Sequence, residues 1–222
     1  MQVEGRRLID ELGLQLLPGG FCLWGPTLLA SDPLLGAPRP RNLPSDHQLL
    51  RNISRTAREN MASRIVLLGG LFGPSADPEG DLPGLLVPWR SELLEVEIAW
   101  VYPKPAPQWD QILDFLEISR IASGAKLGDA ELLSPKSPVK PGGGLSFVGG
   151  QKPGVKSASG KKVAAWAVKG SSLIFPSCGG LVAKGAESSG WDWFEEVLPG
   201  LLHMPEVQLS EAESDLALGA AL

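Results

Sequence analysis

The residues best suited to chemistry in this 222-residue chain are glycines and lysines crowded into one stretch. Gly149-Gly150-Gln151-Lys152-Pro153-Gly154-Val155-Lys156-Ser157 has the composition of a loop that aims backbone N–H groups at a phosphate and closes the cage with an amine and a hydroxyl. Its spacing departs from that chemistry. The phosphate-cradling motif sets Gly and Lys side by side after four residues and then opens a helix. Here Val155 intervenes, and the apolar run Val163 to Val168 reads as a strand, so the expectation is a solvated loop.

The same region carries Lys136, Lys140, Lys152, Lys156, Lys161 and Lys162, with no acidic residue between 132 and 162. Six lysines on a flexible tether can neutralise phosphates by counterion release, or meet an acidic protein surface. Phe147 alone offers a ring for base stacking there, which argues against reading a nucleic-acid sequence. These six residues are the candidate partner- or phosphate-binding set. From 186 onward the charge reverses, with eight acidic residues and no Lys or Arg to the last position. This acidic stretch complements the basic loop and could meet it, another subunit or a basic partner.

Catalytic material is sparse. His47 and His203 have no paired His or Cys at metal-ligand spacing, so neither a metal nor a cofactor is expected. Cys22 and Cys178 each sit beside apolar residues, as buried free thiols do in a reducing compartment. Cys-His chemistry would need partners that meet only in space. Glu95 and Glu97 share one face if their segment is a strand, an ordinary feature of a wet strand face. Arg51, Arg55 and Arg58 fall on one helical stripe, which can hold phosphate but is more often the wet side of an amphipathic helix. Ser134-Pro135 and Ser137-Pro138 have the form of proline-directed phosphorylation sites beside lysines. The two Leu-Pro-Gly-Leu-Leu segments, at 82 and 198, are better explained by core packing than by groove docking. Their offset disagrees with that of the Trp-Asp pairs at 109 and 191, so no internal repeat stands.

Whatever chemistry exists must be positioned by a folded body. The chain is 43% hydrophobic and 20% charged, which suits a packed domain, and its formal charge of −5 gives no global attraction to nucleic acid or anionic lipid. No apolar run approaches the length that spans a bilayer, and the N-terminus lacks the pattern of a secretory leader, so the expectation is a cytoplasmic protein with no membrane partner.

Apolar spacing predicts a helix over 5–17 and a strand from Phe21 to Leu29. A proline-rich loop follows over 31–45, then a helix capped by Ser45 running to about Met61 and a buried strand within Ser63 to Phe72. A turn-rich acidic loop, a half-exposed strand over Leu93 to Tyr102 and a helix from Pro107 to Ile121 come next. The stretch 132–162 reads as a long mobile loop with a brief strand at Leu145 to Val148. A hairpin turning at Gly170 and a helix over Trp191 to Leu202 close the series.

These elements predict an α/β (or α+β) fold: one mixed sheet flanked by about four helices, with a long Pro/Gly/Lys-rich loop. Residues 1–204 form a single domain containing the basic loop, and 205–222 an acidic tail. The leading functional expectation is a non-enzymatic interaction or assembly protein whose basic loop and acidic tail bind a protein partner, a second copy of the chain included, with nucleic acid a weaker partner. The alternative is an enzyme or nucleotide-binding protein with its site at the glycine-rich strand ends Gly69-Gly70 and Gly149-Gly150.

Overall fold

In the computed structural model, the residues described are 11–17, 19–39, 43–102, 106–133, 146–149, 155–156, 162–163, 167–169, 172–175 and 177–178. Three antiparallel strands open the fold: β1 (Leu14–Leu17), β2 (Phe21–Trp24) and β3 (Thr27–Ser31). The helix expected over 5–17 does not run to its expected end: Glu11 and Leu12 are helical, Leu14–Leu17 is a strand, and residues 5–10 lie outside the described residues. Gly13, at φ +62°, turns the chain out of the helix, and Leu14 to Leu17 then pairs with Phe21 to Trp24. The single strand expected over Phe21 to Leu29 is two, folded back at Gly25-Pro26.

From β3 onward the chain alternates strand and helix. Helix α1 (Asp46–Glu59) begins with a complete capping box, in which Ser45 accepts from the Gln48 N–H and the Gln48 side chain accepts from the Ser45 N–H. It buries Leu49, Leu50, Ile53 and Ala57, at about 1.5–3 kcal/mol for each large side chain. Strand β4 (Arg64–Leu68) follows, then α2 (Leu82–Ser91), β5 (Glu97–Tyr102), a short 3-10 turn at Pro107–Trp109, α3 (Asp110–Phe115) and β6 (Ile118–Ala122). Strands β3 to β6 are parallel neighbours, so the first sheet is mixed, in the order β1-β2-β3-β4-β5-β6.

Two predicted elements change character here. The strand expected to be half exposed begins only at Glu97, and its interior is buried because it lies between two parallel neighbours with both faces covered. Glu95 stays in the preceding turn, and Glu97 pairs with Arg64 at 2.7 Å, so the two glutamates share no strand face. The helix expected to reach Ile121 stops at Phe115. Glu117, at φ +53°, breaks the helical path, and Ile118 to Ala122 joins the edge of the sheet. Conversely, α2 begins at the first Leu-Pro-Gly-Leu-Leu segment. Pro83 is tolerated in the first turn, while Leu82 and Leu86 are buried, as core packing requires.

A second sheet has the order β12-β13-β9-β8-β7, formed by β7 (Ala125–Leu127), β8 (Ala130–Leu133), β9 (Ser146–Gly149), β12 (Ala167–Lys169) and β13 (Ser172–Phe175). A separate two-stranded ribbon pairs β10 (Val155–Lys156) with β11 (Lys162–Val163). Leu28, Ala30, Ile65, Leu67, Ile98 and Trp100 of the first sheet share one apolar cluster with α1 and α2. By strand alternation Trp24 of β2 belongs to the opposite face, and its ring meets Phe147 of β9 edge-on at 5.1 Å. The first sheet is thus sandwiched between helices and the second sheet. The α/β class is as expected, with three α-helices among the described residues where about four were predicted.

The brief strand expected at Leu145 to Val148, within the loop read over 132–162, is present as β9, and it anchors that segment in the second sheet. Strand β9 lies inside the second sheet between β8 and β13, and Phe147 is fully buried. The hairpin expected around Gly170 is present as β12 and β13. The helix expected over Trp191 to Leu202 and the acidic tail lie outside the described residues.

Candidate functional site

The backbone departs most from routine geometry where β3 and β4 end. Asp32 and Leu34 adopt positive φ, +44° and +50°, immediately after β3. Such conformations cost of the order of 1–3 kcal/mol each for non-glycine residues and collect where the surrounding structure over-determines them. Asp32 has no exposed surface. Its N–H donates to the Leu68 carbonyl at 2.8 Å, prolonging the β3–β4 ladder by one residue. The Gly70 N–H donates to Oδ1 at 2.6 Å, and the Ser31 hydroxyl donates to Oδ2 at 2.5 Å.

Glycine is required opposite this carboxylate. Gly69 sits at φ +79°, and a side chain there would run into Oδ1 of Asp32. Its carbonyl accepts from the Trp100 indole N–H at 2.6 Å, and its N–H donates to the Val101 carbonyl at 3.0 Å, so the turn is tied to β5 as well. Beyond it, the Leu34 and Leu35 N–H groups donate to the Gly70 and Leu71 carbonyls. Arg39 and Asp46, paired at 2.9 Å, draw the proline-rich segment down: Arg39 donates to the Pro33 and Leu34 carbonyls, and Asp46 accepts from the Gly36 N–H.

The second sheet reaches the same edge. Ser177, two residues past β13, bridges Ser31 in parallel and donates its hydroxyl to the Asp32 carbonyl at 2.7 Å. The Cys178 N–H donates to the Ser31 carbonyl at 2.8 Å. Because β9 runs parallel to β13, with Gly149 opposite Phe175, the carboxyl ends of both sheets converge. Of the two predicted glycine sites, Gly69-Gly70 follows β4 and Gly149 ends β9, each at the carboxyl end of a parallel strand, while Gly150 lies outside the described residues. Open parallel sheets bind ligands at this edge, outside the carboxyl ends of their strands. Aromatic rings floor it on the β4–β5 side. Phe72 stacks on Trp109 at 3.7 Å and meets Trp100 edge-on, and Trp100 leans on Tyr102.

The remaining sequence candidates disperse. Lys156 and Lys162 are register partners across the β10–β11 ribbon, while Lys136, Lys140, Lys152 and Lys161 lie outside the described residues. Ser134, Ser137 and His203 lie outside them too, and His47 is exposed in the first turn of α1. Arg55 pairs with Glu59 and Arg58 with Glu92 on the exposed side of α1, the wet-face arrangement. Cys22 and Cys178 are free and buried. Burial pushes both thiols far up from their ordinary range, and for Cys178 the negative charge of Asp32 adds to it, so neither is a thiolate nucleophile. Sequence reasoning missed Ser31, Asp32 and Ser177. The available signal was a Ser-Asp pair directly after an apolar strand and before Pro33.

No protein family and no curated protein matches the sequence. Among solved structures, a nuclease designated MPE from Pseudomonas putida has the same fold, with a TM-score of 0.62 at 15% identity over 80% of this chain and 84% of that one. This likeness overturns the expectation of a non-enzymatic assembly protein that binds a protein partner, because the fold is one that carries a nuclease. The alternative expectation, an enzyme or nucleotide-binding protein, fits it better. Nucleases commonly hold a pair of divalent cations between carboxylates. The described residues do not fit such a pair: no three His, Cys, Asp or Glu side chains converge among them, and the edge carboxylate Asp32 already accepts from Gly70 and Ser31. No helix among the described residues is long and apolar enough to cross a membrane.

Proposed function

We propose that the chain is a nucleic-acid-directed protein of the nuclease-like α/β class, which engages phosphodiesters where the two sheets end together. The observation that carries this reading is the register of the lysine-bearing ribbon. Strand β9 ends at Gly149, and Lys156 stands opposite Lys162 in the register of the β10–β11 ribbon. Like charges at directly opposed positions disfavour a strand pair unless something neutralises them, and a phosphate backbone does so. The likeness to a nuclease supports the choice of nucleic acid over other phosphate esters. Lys136, Lys140, Lys152 and Lys161 extend the same cationic set.

The loop after β4 carries Asp77, Glu79 and Asp81, all exposed, and repels phosphate. The nucleic acid therefore approaches from the second-sheet side. Fluorescence anisotropy with labelled single- and double-stranded oligonucleotides tests the reading, with cleavage followed on the same strands. Wild type is expected to bind with a steep salt dependence. The Lys156→Gln/Lys162→Gln variant should lower the slope of log affinity against log salt by about 2, one for each phosphate that is no longer neutralised. Met61→Glu, at an exposed position on the opposite end of the sheet, should leave binding unchanged. Equal slopes for wild type and the double lysine variant would reject the proposal.

A further inference from the structure

Asp32 stands at the carboxyl end of a central strand, where open parallel sheets hold their ligands, yet its surroundings assign it other work. Both carboxylate oxygens accept short hydrogen bonds from the protein, Oδ1 from the Gly70 N–H at 2.6 Å and Oδ2 from the Ser31 hydroxyl at 2.5 Å. Its carbonyl accepts from Ser177 and its N–H donates to Leu68, so every polar atom of the residue is engaged. The residue has no exposed surface, and the Gly69 backbone lies so close to Oδ1 that not even a methyl group fits between them. A divalent cation needs several oxygen or nitrogen ligands at about 2.0–2.6 Å. Asp32 has no exposed surface from which a cation could reach it, and among the described residues no group of three His, Cys, Asp or Glu side chains gathers to complete a coordination shell.

We infer that the carboxyl edge engages nucleic acid without a divalent cation, the Asp32 carboxylate serving as the clasp that fastens the Gly69-Gly70 turn to the end of β3. The inference rests on the reading of this edge as a nucleic-acid site, and it assigns a substrate class whose binding does not depend on metal: a phosphodiester backbone. In this chemistry the chain's own cationic side chains supply the positive charge. Chelation should therefore leave affinity untouched, whereas monovalent salt weakens it.

The experiment has two arms. In the first, the free chain is titrated with Mn2+ and with Mg2+ while its melting temperature and heat of binding are followed, with no nucleic acid present. The expected result is no heat and no shift. A rise of about 5 °C or more at a hundredfold excess over a binding constant, lost in Asp32→Asn, would overturn the inference. The Asp32→Asn variant itself should melt below wild type equally with and without Mn2+, because the amide nitrogen that replaces one carboxylate oxygen cannot accept the hydrogen bond made there. In the second arm, oligonucleotide affinity is compared in excess chelator and in Mn2+. Equal affinity supports the inference, and a loss of tenfold or more on chelation contradicts it. Absence of oligonucleotide binding in both conditions would instead refute the nucleic-acid reading, with the first arm still deciding the role of Asp32.

Discussion

Cys22 and Cys178 show how burial can make a reactive residue type inert. Their thiols are pushed far above the ordinary value, chiefly by loss of solvent. The folded chain therefore retains two protons that the unfolded chain releases above about pH 8.5. The stabilisation is whole below that value and is lost progressively as pH rises past it. Urea unfolding across the alkaline range should show falling stability, and Cys22→Ala should flatten the fall. Native protein at about pH 9 should resist iodoacetamide at both sites, with modification appearing only after denaturation; rapid labelling of either thiol in the native chain, read by mass spectrometry, would contradict the burial argument. Arg90 makes the complementary point. Buried between α2 and the start of β6, it donates to the Leu93 and Leu116 carbonyls and reaches Glu117, so a charged residue serves as an internal tie.

At the level of elements, local chemistry predicts well where one end of a segment is chemically marked. The Ser45 cap and Gln48 identify the start of α1, and the structure shows the reciprocal bonds they imply. Ser45→Ala should reduce stability by about 1 kcal/mol in chemical denaturation, with the nucleic-acid affinity of the edge unchanged if α1 keeps its place. Segments without such marks depart from their local pattern. Leu8, Ile9, Leu12 and Leu16 suit a helical stripe, but Gly13 and the neighbouring Phe21 to Trp24 strand convert the second half into β1. Trp109 to Ile121 keeps a helical apolar spacing throughout. Its last residues nonetheless pair with Ile98 to Tyr102, because the free edge of β5 offers a full ladder of hydrogen bonds that a helix end cannot match.

Across the whole molecule, the second sheet is an integral layer. Phe147 and Phe175 are both fully buried, 5.9 Å apart and edge-on, and Phe147 also meets Trp24 of the first sheet. Phe147→Ala should remove about 3–5 kcal/mol in a single cooperative transition. A separate early transition that leaves the first sheet folded would show that the layers are independent. The coupling bears on function, because Ser177 and Cys178 are delivered to the end of β3 only when β13 is in place.

By itself the sequence determined the α/β class, the capped helix α1, the buried strand at β4 and the free buried thiols. Each depends on periodicity, capping chemistry or apolar neighbours within a short window. Only the tertiary structure decided that Asp32 faces Gly70 across 38 positions, that Ser177 reaches it across 145, and that Phe147 is core within a lysine-rich segment. Those outcomes depend on which strands become neighbours. Parallel pairing joins residues far apart in the chain, and a local pattern of residues carries no record of that choice.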